Sequence, residues 1–477
     1  MRMEEYLEIL TGQIRCRLAH DPIREELRHH MEDQKEAYLE EGMDEEEAEE
    51  TAVLDMGDPV RTGEEFDRLH RPKMPWRMIG LIMLVSLTGL MLQYLVIGPE
   101  SDYVDFRKQF FLLLLGFAVM MTVCFVDYSR IVSRAISIYL WMNLLINFFG
   151  DTWGVKVNGS TKWIYIAKLG LSIEQPVLAL LFIPLYAAML CEIRGQGYAG
   201  LLTTTLLMML GALQVLRIPS TATLFILFAA FTFLLNLTVA KGWFKVAKKR
   251  LLAVYWGAAA AVTGWILYNV VNAPHQQTRF HRLFGLGEGI LPTTTLLRKM
   301  LRGARWMGEG IVQGDGDLSY ADYMLAYIIS RYGIGIGIAV TGAILFLILL
   351  LFRKALAQKN ESGMLIGVSC AMVFLAQVLL YLLSNLGIIA AAGYCPFLTY
   401  GGSRMIVTFV MLGLLLGVFR YERVMSLYKK KSPQDYRMER KNAQPEANQT
   451  WWQRNNEQIR ILLIVFVVFV VLMQETI

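Results

Sequence analysis

Long apolar stretches alternate with short polar links over most of this chain. Ten of the stretches are long enough, or nearly so, to cross a hydrocarbon core of ~30 Å, which takes about 20 helical residues. An eleventh, 460–473, is short for a full span but carries no charge after Arg460. The pattern predicts an all-α, polytopic membrane protein of about ten transmembrane helices, with a candidate extra membrane helix at the C-terminus. The ten predicted spans are 77–97, 109–126, 132–149, 176–192, 198–216, 219–240, 251–271, 333–352, 363–390 and 404–420.

The first 75 residues form a unit of different composition, rich in acidic side chains and without an apolar span. Asp21 before Pro22 predicts the start of one helix, Gly42 its end, and Asp44 the start of the next. The unit resembles the small helical prefix domain that precedes many bacterial membrane proteins. This resemblance predicts a role in interaction or regulation rather than in the chemistry of the protein. The predicted domains are 1–75 (helical prefix), 76–420 (membrane domain, with outer loop 272–332), 421–457 (basic linker) and 458–477 (candidate membrane helix).

Composition and charge agree with a membrane protein, since 55% of the residues are hydrophobic and only 18% are charged. Lys and Arg concentrate in the links 241–250 and 353–359 and in the tail 420–441. Basic loops stay on the cytoplasmic side. The N-terminus is therefore predicted to be cytoplasmic, with loops 151–175 and 272–332 outside. Membrane lipid is the expected environment, and no nucleic-acid partner is predicted.

The segment 385–404, NLGIIAAAGYCPFLTYGGSR, interrupts two apolar runs with residues that do not continue a helix cheaply. Non-helical backbone at membrane depth is tolerated only where it lines a cavity or is covered by protein. The segment is therefore a candidate functional surface, with an ordinary loop between spans as the alternative. Its candidate binding residues are Tyr400, Gly401, Gly402 and Ser403.

Within this segment, PFLTYGGS (396–403) resembles the PFxSYGGS signature of the shape, elongation, division and sporulation (SEDS) family, with Thr399 for the usual serine. The resemblance implies a ten-span fold in the bacterial cytoplasmic membrane and polymerisation of lipid II, the lipid-linked peptidoglycan precursor, on the outer face. It also implies a partner, a single-span transpeptidase of the class B penicillin-binding protein type. Elongation, division and sporulation members share these motifs, so the cellular process stays open.

The sequence ADYMLAYIISRYGIGIG (321–337) looks like the family's TDFIFxxxxEELGxxG segment, and Asp322 falls on its essential aspartate. The resemblance therefore implies that Asp322 is the catalytic base. An ionisable residue at the end of an apolar helix is a functional candidate on physical grounds as well. The alternative for Asp322 is a plain helix N-cap, a position that aspartate favours.

Loop 272–332 is unusually basic for an outward loop, and guanidinium groups bind phosphate in a bidentate way. HQQTRFHRLFG (275–285) looks like the family's Arg-containing segment after the seventh span. We expect Arg279, Arg282 and Arg331 to bind the departing pyrophosphate, with a divalent cation, Mg²⁺ or Mn²⁺, as another source of positive charge. The alternative is attraction to anionic lipid head groups. GDGD (314–317) is compatible with a metal site, but its composition favours a solvent-exposed turn.

The first outer loop adds NGSTKWIYI (158–166), which resembles a family segment with Lys162 and Trp163 in register, and SIEQP, which keeps Gln175. The resemblance implies that these three residues bind substrate. Trp163 is also ordinary for a membrane interface.

The chain also departs from the family pattern at charged positions. Where the family pattern has a glutamate and a lysine after the glutamine, this chain has Leu178 and Leu181. Where the pattern has an aspartate further on, this chain has Ser220. Glu174, one helical turn before Leu178, is a candidate substitute unless Pro176 places it outside the helix. The lost charges leave an inactive scaffold that binds lipid-linked precursor or division proteins as the alternative to the enzyme. A flippase fits less well, because charge gathers at the outer surface rather than inside the spans.

Overall fold

The structure of the chain is a computed structural model. It describes residues 2–15, 20–98, 105–157, 160–166, 171–218, 220–244, 247, 256–257, 268, 272, 292–310, 320–390 and 393–422.

The chain forms two compact units. The first unit combines Met1–Pro75 with Ala357–Met364 and a stretch that begins at Val418. Most of the remaining chain, from Trp76 on, forms the second unit, which contains most residues of the membrane-spanning helices.

Four helices make up the N-terminal part of the first unit: α1 (Met3–Gln13), α2 (His20–Glu40), α3 (Glu45–Asp55) and α4 (Pro59–His70). Helix α2 begins one residue before Asp21, and the chain leaves it through Gly42 at a φ of 95°, a conformation that glycine adopts without steric cost. Asp44 precedes α3, as its sequence predicts. The Tyr6 hydroxyl is buried and donates to the Met56 carbonyl at 3.0 Å, which ties α1 to the end of α3.

Eight helical segments among the described residues are long and apolar enough to cross a membrane. They confirm a nearly all-helical, polytopic membrane protein and coincide with eight of the ten predicted spans. Numbered along the chain, they are α5 (Trp76–Ile97), α6 (Phe106–Phe125), the pair α9 (Gln175–Ala179) and α10 (Phe182–Glu192), α11 (Tyr198–Arg217), α12 (Thr221–Ala240), α15 (Ile334–Leu356), α16 (Glu361–Asn385) and α17 (Gly402–Arg420).

The third predicted span, 132–149, corresponds to α8 (Ala135–Trp153), a 19-residue helix that follows the short α7 (Tyr128–Val132). The seventh, 251–271, lies outside the described residues apart from isolated positions, and 460–473 lies outside them entirely. Two further helices, α13 (Pro292–Arg302) and α14 (Tyr320–Tyr332), belong to the predicted outer loop 272–332.

The fourth predicted span, 176–192, is interrupted between α9 and α10. Pro184 has no N–H with which to bond the Leu180 carbonyl four residues earlier. The Ile183 N–H takes that carbonyl instead at 3.1 Å, so the helix tightens at the break. The interruption leaves α9 as a short helix directly after Glu174.

A small antiparallel sheet departs from the all-helical prediction. Its order is β1 (Gly154–Val157), β2 (Ser160–Ile166) and β3 (Leu171–Glu174), so the sheet fills most of the predicted loop 151–175. Residues of β2 alternate between its two faces. In the register of β2 and β3, Trp163 lies opposite Glu174. The sheet thereby fixes Glu174 at the entrance to α9.

Candidate active site

The second half of the non-helical segment between α16 and α17, residues 393–399, is largely covered by protein. Tyr394, Cys395 and Leu398 are buried, and the Leu398 carbonyl accepts a hydrogen bond of 2.8 Å from the Gln93 amide of α5. The chain leaves the helix where its glycines and proline predict, and the Leu398 carbonyl finds a partner in a neighbouring span, as membrane depth requires.

Gly401 is needed for the turn into α17. Its φ of 140° lies in the region that side-chain-bearing residues rarely adopt, whereas Gly402 is the first residue of the helix. Tyr400, just before this turn, is partly buried, and the loss of hydration raises the pKa of its phenol above the ordinary value. Tyr400 therefore stays a neutral hydrogen-bonding group at physiological pH.

We expect Gly401→Ala to lower the melting temperature of the purified protein, because a Cβ in this conformation costs about 1–3 kcal/mol. Gly402→Ala is the matched control, since a Cβ there meets only the methyl groups of Leu112, at 3.3 and 3.5 Å. Equal melting temperatures for the two variants would contradict the special role of Gly401.

Arg404, in the first turn of α17, joins two carboxylates that are distant in the sequence. Its NH1 lies 2.7 Å from Oδ1 of Asp322, its NH2 3.0 Å from Oε1 of Glu174, and its Nε donates to Oε2 of Glu174 at 3.2 Å. The Arg404 side chain is only 11% exposed, and those of Glu174 and Asp322 are 20% and 31% exposed. The cluster is therefore largely withdrawn from water, with Asp322 its most accessible member.

The backbone of Glu174 is fixed as firmly as its carboxylate. Its N–H donates to the Ser403 hydroxyl at 3.3 Å, next to the arginine that binds its side chain. Glu174 ends β3 and precedes α9, so Pro176 does keep it outside the helix. It reaches the site from the sheet rather than from the helix face that its spacing from Leu178 suggested.

Asp322 lies at a kink in α14, because Tyr323 has non-helical angles of φ −123° and ψ 27°. The Asn385 side chain of α16 supports this kink from both sides: its amide donates to the Asp322 carbonyl at 3.1 Å, and its oxygen accepts from the Ala326 N–H at 3.2 Å. If Asp322 were a helix N-cap, its carboxylate would accept a hydrogen bond from the Leu325 N–H. That N–H donates instead to the Tyr381 hydroxyl, at 3.0 Å. The structure thus favours a carboxylate turned to Arg404 over the plain N-cap.

The other predicted binding residues lie at different distances from the cluster or outside the described residues. Trp163 lies opposite Glu174 in the sheet, and the Lys162 amine sits 4.6 Å above the Trp163 ring, a cation–π distance. Gln175 is buried, and its amide nitrogen faces Gly150 of α8 rather than the carboxylates. Arg331 donates to the Val96 carbonyl at 3.1 Å, about 13 Å along α14 from Asp322 by helical rise, so the structure does not bring it to the cluster. Arg279 and Arg282 lie outside the described residues.

Arg404 and Asn385 are the residues that sequence reasoning missed. Both border the segment singled out from the sequence, and Arg404 directly follows its Gly-Gly-Ser. The available signal was charge, because Arg404 is followed by fifteen uncharged residues before Arg420, and an isolated charge in a span is a functional candidate by default.

A cavity lies behind the guanidinium, between α5, α6 and α17. Its volume of about 20 Å³ is enough for roughly one water molecule, and Gln93, Gln109 and Arg404 are among its lining residues. Gln109 is fully buried, and neither polar atom of its amide has a hydrogen-bond partner among the residues that the structure describes. A buried water is the ordinary solution for such a group. Within the described ranges, no group of three or more His, Cys, Asp or Glu side chains is arranged to hold a metal ion.

Curated proteins named as peptidoglycan glycosyltransferase FtsW are similar to this chain. This chain is 23% identical over 366 residues to the putative peptidoglycan glycosyltransferase FtsW of Mesostigma viride, and the match covers 72% of this chain and 81% of that protein. It is 22% identical over 381 residues to the probable peptidoglycan glycosyltransferase FtsW of Nitrosomonas europaea, covering 73% and 93%.

Solved structures show the same fold. One from a study of a peptidoglycan synthase complex that coordinates polymerization and crosslinking matches with a TM-score of 0.59 at 21% identity, covering 73% of this chain and 98% of its own. A mutant of the rod shape determining protein RodA of Thermus thermophilus matches with a TM-score of 0.50 at 19% identity, covering 73% and 97%.

The family model described as "Cell cycle protein", built on FtsW, RodA and SpoVE, matches residues 72–424. This range begins just before α5 and ends just after α17, so it takes in every described span and all three members of the charged cluster. Over this range the chain belongs to the FtsW/RodA/SpoVE family, the SEDS family that its PFLTYGGS segment indicates.

Proposed function

We propose that this protein is a peptidoglycan glycosyltransferase that polymerises lipid II on the outer face of the bacterial cytoplasmic membrane. The observation that carries the proposal is the Asp322 carboxylate, held 2.7 Å from a buried arginine and still 31% exposed. A fixed and accessible carboxylate at the end of the spans is what a proton-accepting base requires. The names of the FtsW relatives support the same reaction.

The reaction joins two lipid-linked sugars. A hydroxyl of the acceptor sugar attacks the anomeric carbon of the donor, the new C–O bond forms as the bond to undecaprenyl pyrophosphate breaks, and Asp322 takes the proton of the hydroxyl. The pyrophosphate leaves with the electrons of the broken bond, so positive charge must face it as its negative charge develops. Arg279 and Arg282, or a divalent cation such as Mg²⁺ or Mn²⁺, supply that charge in this proposal.

Other binding roles in the proposal follow from placement. Trp163 lies opposite Glu174 in the sheet, and the Lys162 amine lies over the Trp163 ring. Tyr400 and Gly401 form the turn into α17, and Gly402 and Ser403 begin the helix that carries Arg404. Arg331 is bonded to Val96 and lies away from the cluster, so we assign it to support of α5 rather than to the pyrophosphate. The N-terminus is cytoplasmic in the proposal, which puts the charged cluster at the outer surface, where lipid II is polymerised.

A class B penicillin-binding protein is the proposed partner. The solved structure with a TM-score of 0.59 comes from a synthase complex that performs polymerization and crosslinking, and the match covers 98% of the length of that subunit. Polymerised glycan is the substrate of a crosslinking transpeptidase, so the two activities act in sequence.

A second candidate function is a scaffold that binds lipid-linked precursor without polymerising it. The observation that favours it is the loss of charge at Leu178 and Leu181, where the family pattern has glutamate and lysine. The charged cluster at Asp322 favours the enzyme over this scaffold, because a scaffold has no need of a base.

The deciding experiment is polymerisation of labelled lipid II by the purified full-length protein in detergent. The arms are Mg²⁺, Mn²⁺ or chelator, each with and without the class B penicillin-binding protein, and the partner alone as control. Glycan chains that require this protein establish the enzyme. Bound lipid II without chains in any arm supports the scaffold. In a parallel arm with the protein reconstituted into vesicles, movement of lipid II across the membrane without chains supports a flippase.

A further inference from the structure

Every nitrogen of the Arg404 guanidinium faces a carboxylate of this chain. Each of its three nitrogens has a carboxylate oxygen within 3.2 Å: two face Glu174 in a bidentate pair and one faces Asp322. The paired fork of Arg and carboxylate fixes direction as well as distance. Arg404 therefore cannot turn toward Asp322 or away from it while Glu174 holds the other edge of its plane.

We infer that Arg404 is a positioning residue for Asp322, and that Glu174 positions Arg404. The inference rests on the proposed glycosyl transfer and names two residues that the family resemblance did not supply. Arg404 takes Oδ1 of Asp322, which directs Oδ2 toward the acceptor hydroxyl. A base oriented by a second group, itself oriented by a third, is the general arrangement of an activated proton acceptor.

Charge balance explains why two carboxylates surround one guanidinium. Arg404 alone would neutralise Asp322, but Glu174 adds a second negative charge, so the cluster as a whole keeps one negative charge for the incoming proton. A buried guanidinium without Glu174 would also be only half paired, which is costly at 11% exposure. Glu174 thus serves both the stability of Arg404 and the negative charge of the site.

The arrangement also accounts for the departures in this chain. The positions after Gln175 where the family pattern carries charge hold Leu178 and Leu181. Glu174 at the end of β3 and Arg404 at the start of α17 bring an acidic and a basic group to the site from different elements. The charged residues of the family pattern are absent after Gln175, and Glu174 and Arg404 form an acidic and basic pair beside Asp322 in this chain.

A direct role for Arg404 as the pyrophosphate ligand fits the geometry less well. All three nitrogens are engaged, and the side chain is almost fully enclosed. A phosphate would have to displace Glu174, whose backbone is separately held by Ser403. The two roles differ in KM, because a residue that already binds the substrate pyrophosphate in the ground state raises KM when it is removed, whereas a positioning residue leaves KM nearly unchanged.

The test is steady-state polymerisation of labelled lipid II by the full-length protein with Arg404→Gln, Arg404→Lys and Glu174→Gln. We expect Arg404→Gln to lower kcat by about 10²-fold with little change in KM, as misplacement of a catalytic group does. Arg404→Lys should fall between it and the wild type, because lysine keeps the charge but cannot hold two carboxylates in one plane. Glu174→Gln should also lower kcat.

Controls separate positioning from folding. Arg217→Gln removes another part-buried arginine, one whose NH1 donates to Asn147 at 2.7 Å, and it should leave kcat unchanged. The double variant Arg404→Gln/Glu174→Gln removes both charges of the pair, so it should melt closer to the wild type than Arg404→Gln does. Its kcat should be no lower than that of Arg404→Gln, because the two residues act through one contact chain.

Each outcome decides the inference. Wild-type kcat in Arg404→Gln overturns it while leaving the proposed function intact, and so does a raised KM with unchanged kcat, which would make Arg404 a substrate ligand. Absence of chains from the wild-type protein in every arm overturns the proposed function, and the positioning role with it. The positioning role is also overturned if kcat falls only in the variants that melt at a lower temperature and stays at the wild-type value in the double variant. The loss of rate would then come from unfolding.

Discussion

Asp322→Asn should lower the polymerisation rate by about 10²–10⁴-fold, the usual contribution of a general base. Asparagine has nearly the same shape, and its side-chain oxygen still accepts a hydrogen bond from Arg404, as Oδ1 of Asp322 does. It cannot take the proton of the acceptor hydroxyl. The measurement is the initial rate of glycan chain formation from labelled lipid II, with the class B penicillin-binding protein present.

Asp127→Asn is the matched control for this variant. Asp127 caps α7 through its side chain, which accepts from the Ser129 N–H at 2.9 Å, and asparagine caps a helix equally well. The same chemical change should therefore leave the rate unaltered. An Asp322→Asn protein that folds and polymerises at the wild-type rate would remove Asp322 from the reaction and leave the scaffold as the better account.

Sequence patterning predicted the membrane domain well, because an apolar stretch that must satisfy its own backbone in lipid has only the helix available. The spans of α5, α11 and α17 agree with their predictions within a few residues. Local chemistry explains the differences. Pro184 divides the fourth span, an effect that hydrophobicity does not register, and the sheet around Trp163 looked like a loop because its strands are short.

The candidate site was only partly predictable. Asp322 and Ser403 were found through motifs, which are local strings of residues. The partners of Arg404 are 82 and 230 residues away in the chain, and nothing in the spacing of Glu174 from Leu178 indicates a contact with α17. Pairings of this kind depend on how the spans pack, and a single sequence records them only as isolated charges in apolar surroundings.

The non-helical segment before Arg404 packs against helix α5 at Gly89, where the helix has no side chain. A Cβ at Gly89 would overlap with the Phe397 carbonyl oxygen, closer than any two such atoms approach. One turn further along α5, the Gln93 amide bonds the next carbonyl, that of Leu398, at 2.8 Å. Phe397 itself has a φ of 72°, unusual for a residue with a side chain, so packing against α5 holds the segment in a conformation it would otherwise leave.

Gly89→Ala should therefore destabilise the protein by about 1–3 kcal/mol or more, the usual cost of forcing an extra carbon into a packed interior. Backbone atoms rather than a flexible side chain meet the new methyl group, so the segment from Phe397 onward must move as a whole. Arg404 moves with it, and we expect polymerisation to fall together with the melting temperature in detergent.

Gly80→Ala is the control on the same helix, since Gly80 is exposed and a Cβ there meets no atom within 4 Å. Alanine favours a helix interior over glycine by about 1 kcal/mol. Gly80→Ala should thus melt at or above the wild-type temperature, and the two variants should shift in opposite directions. A Gly89→Ala protein as stable and active as Gly80→Ala would mean that α5 does not press on the Phe397 carbonyl, and that the Arg404 cluster is held by its ion pairs alone.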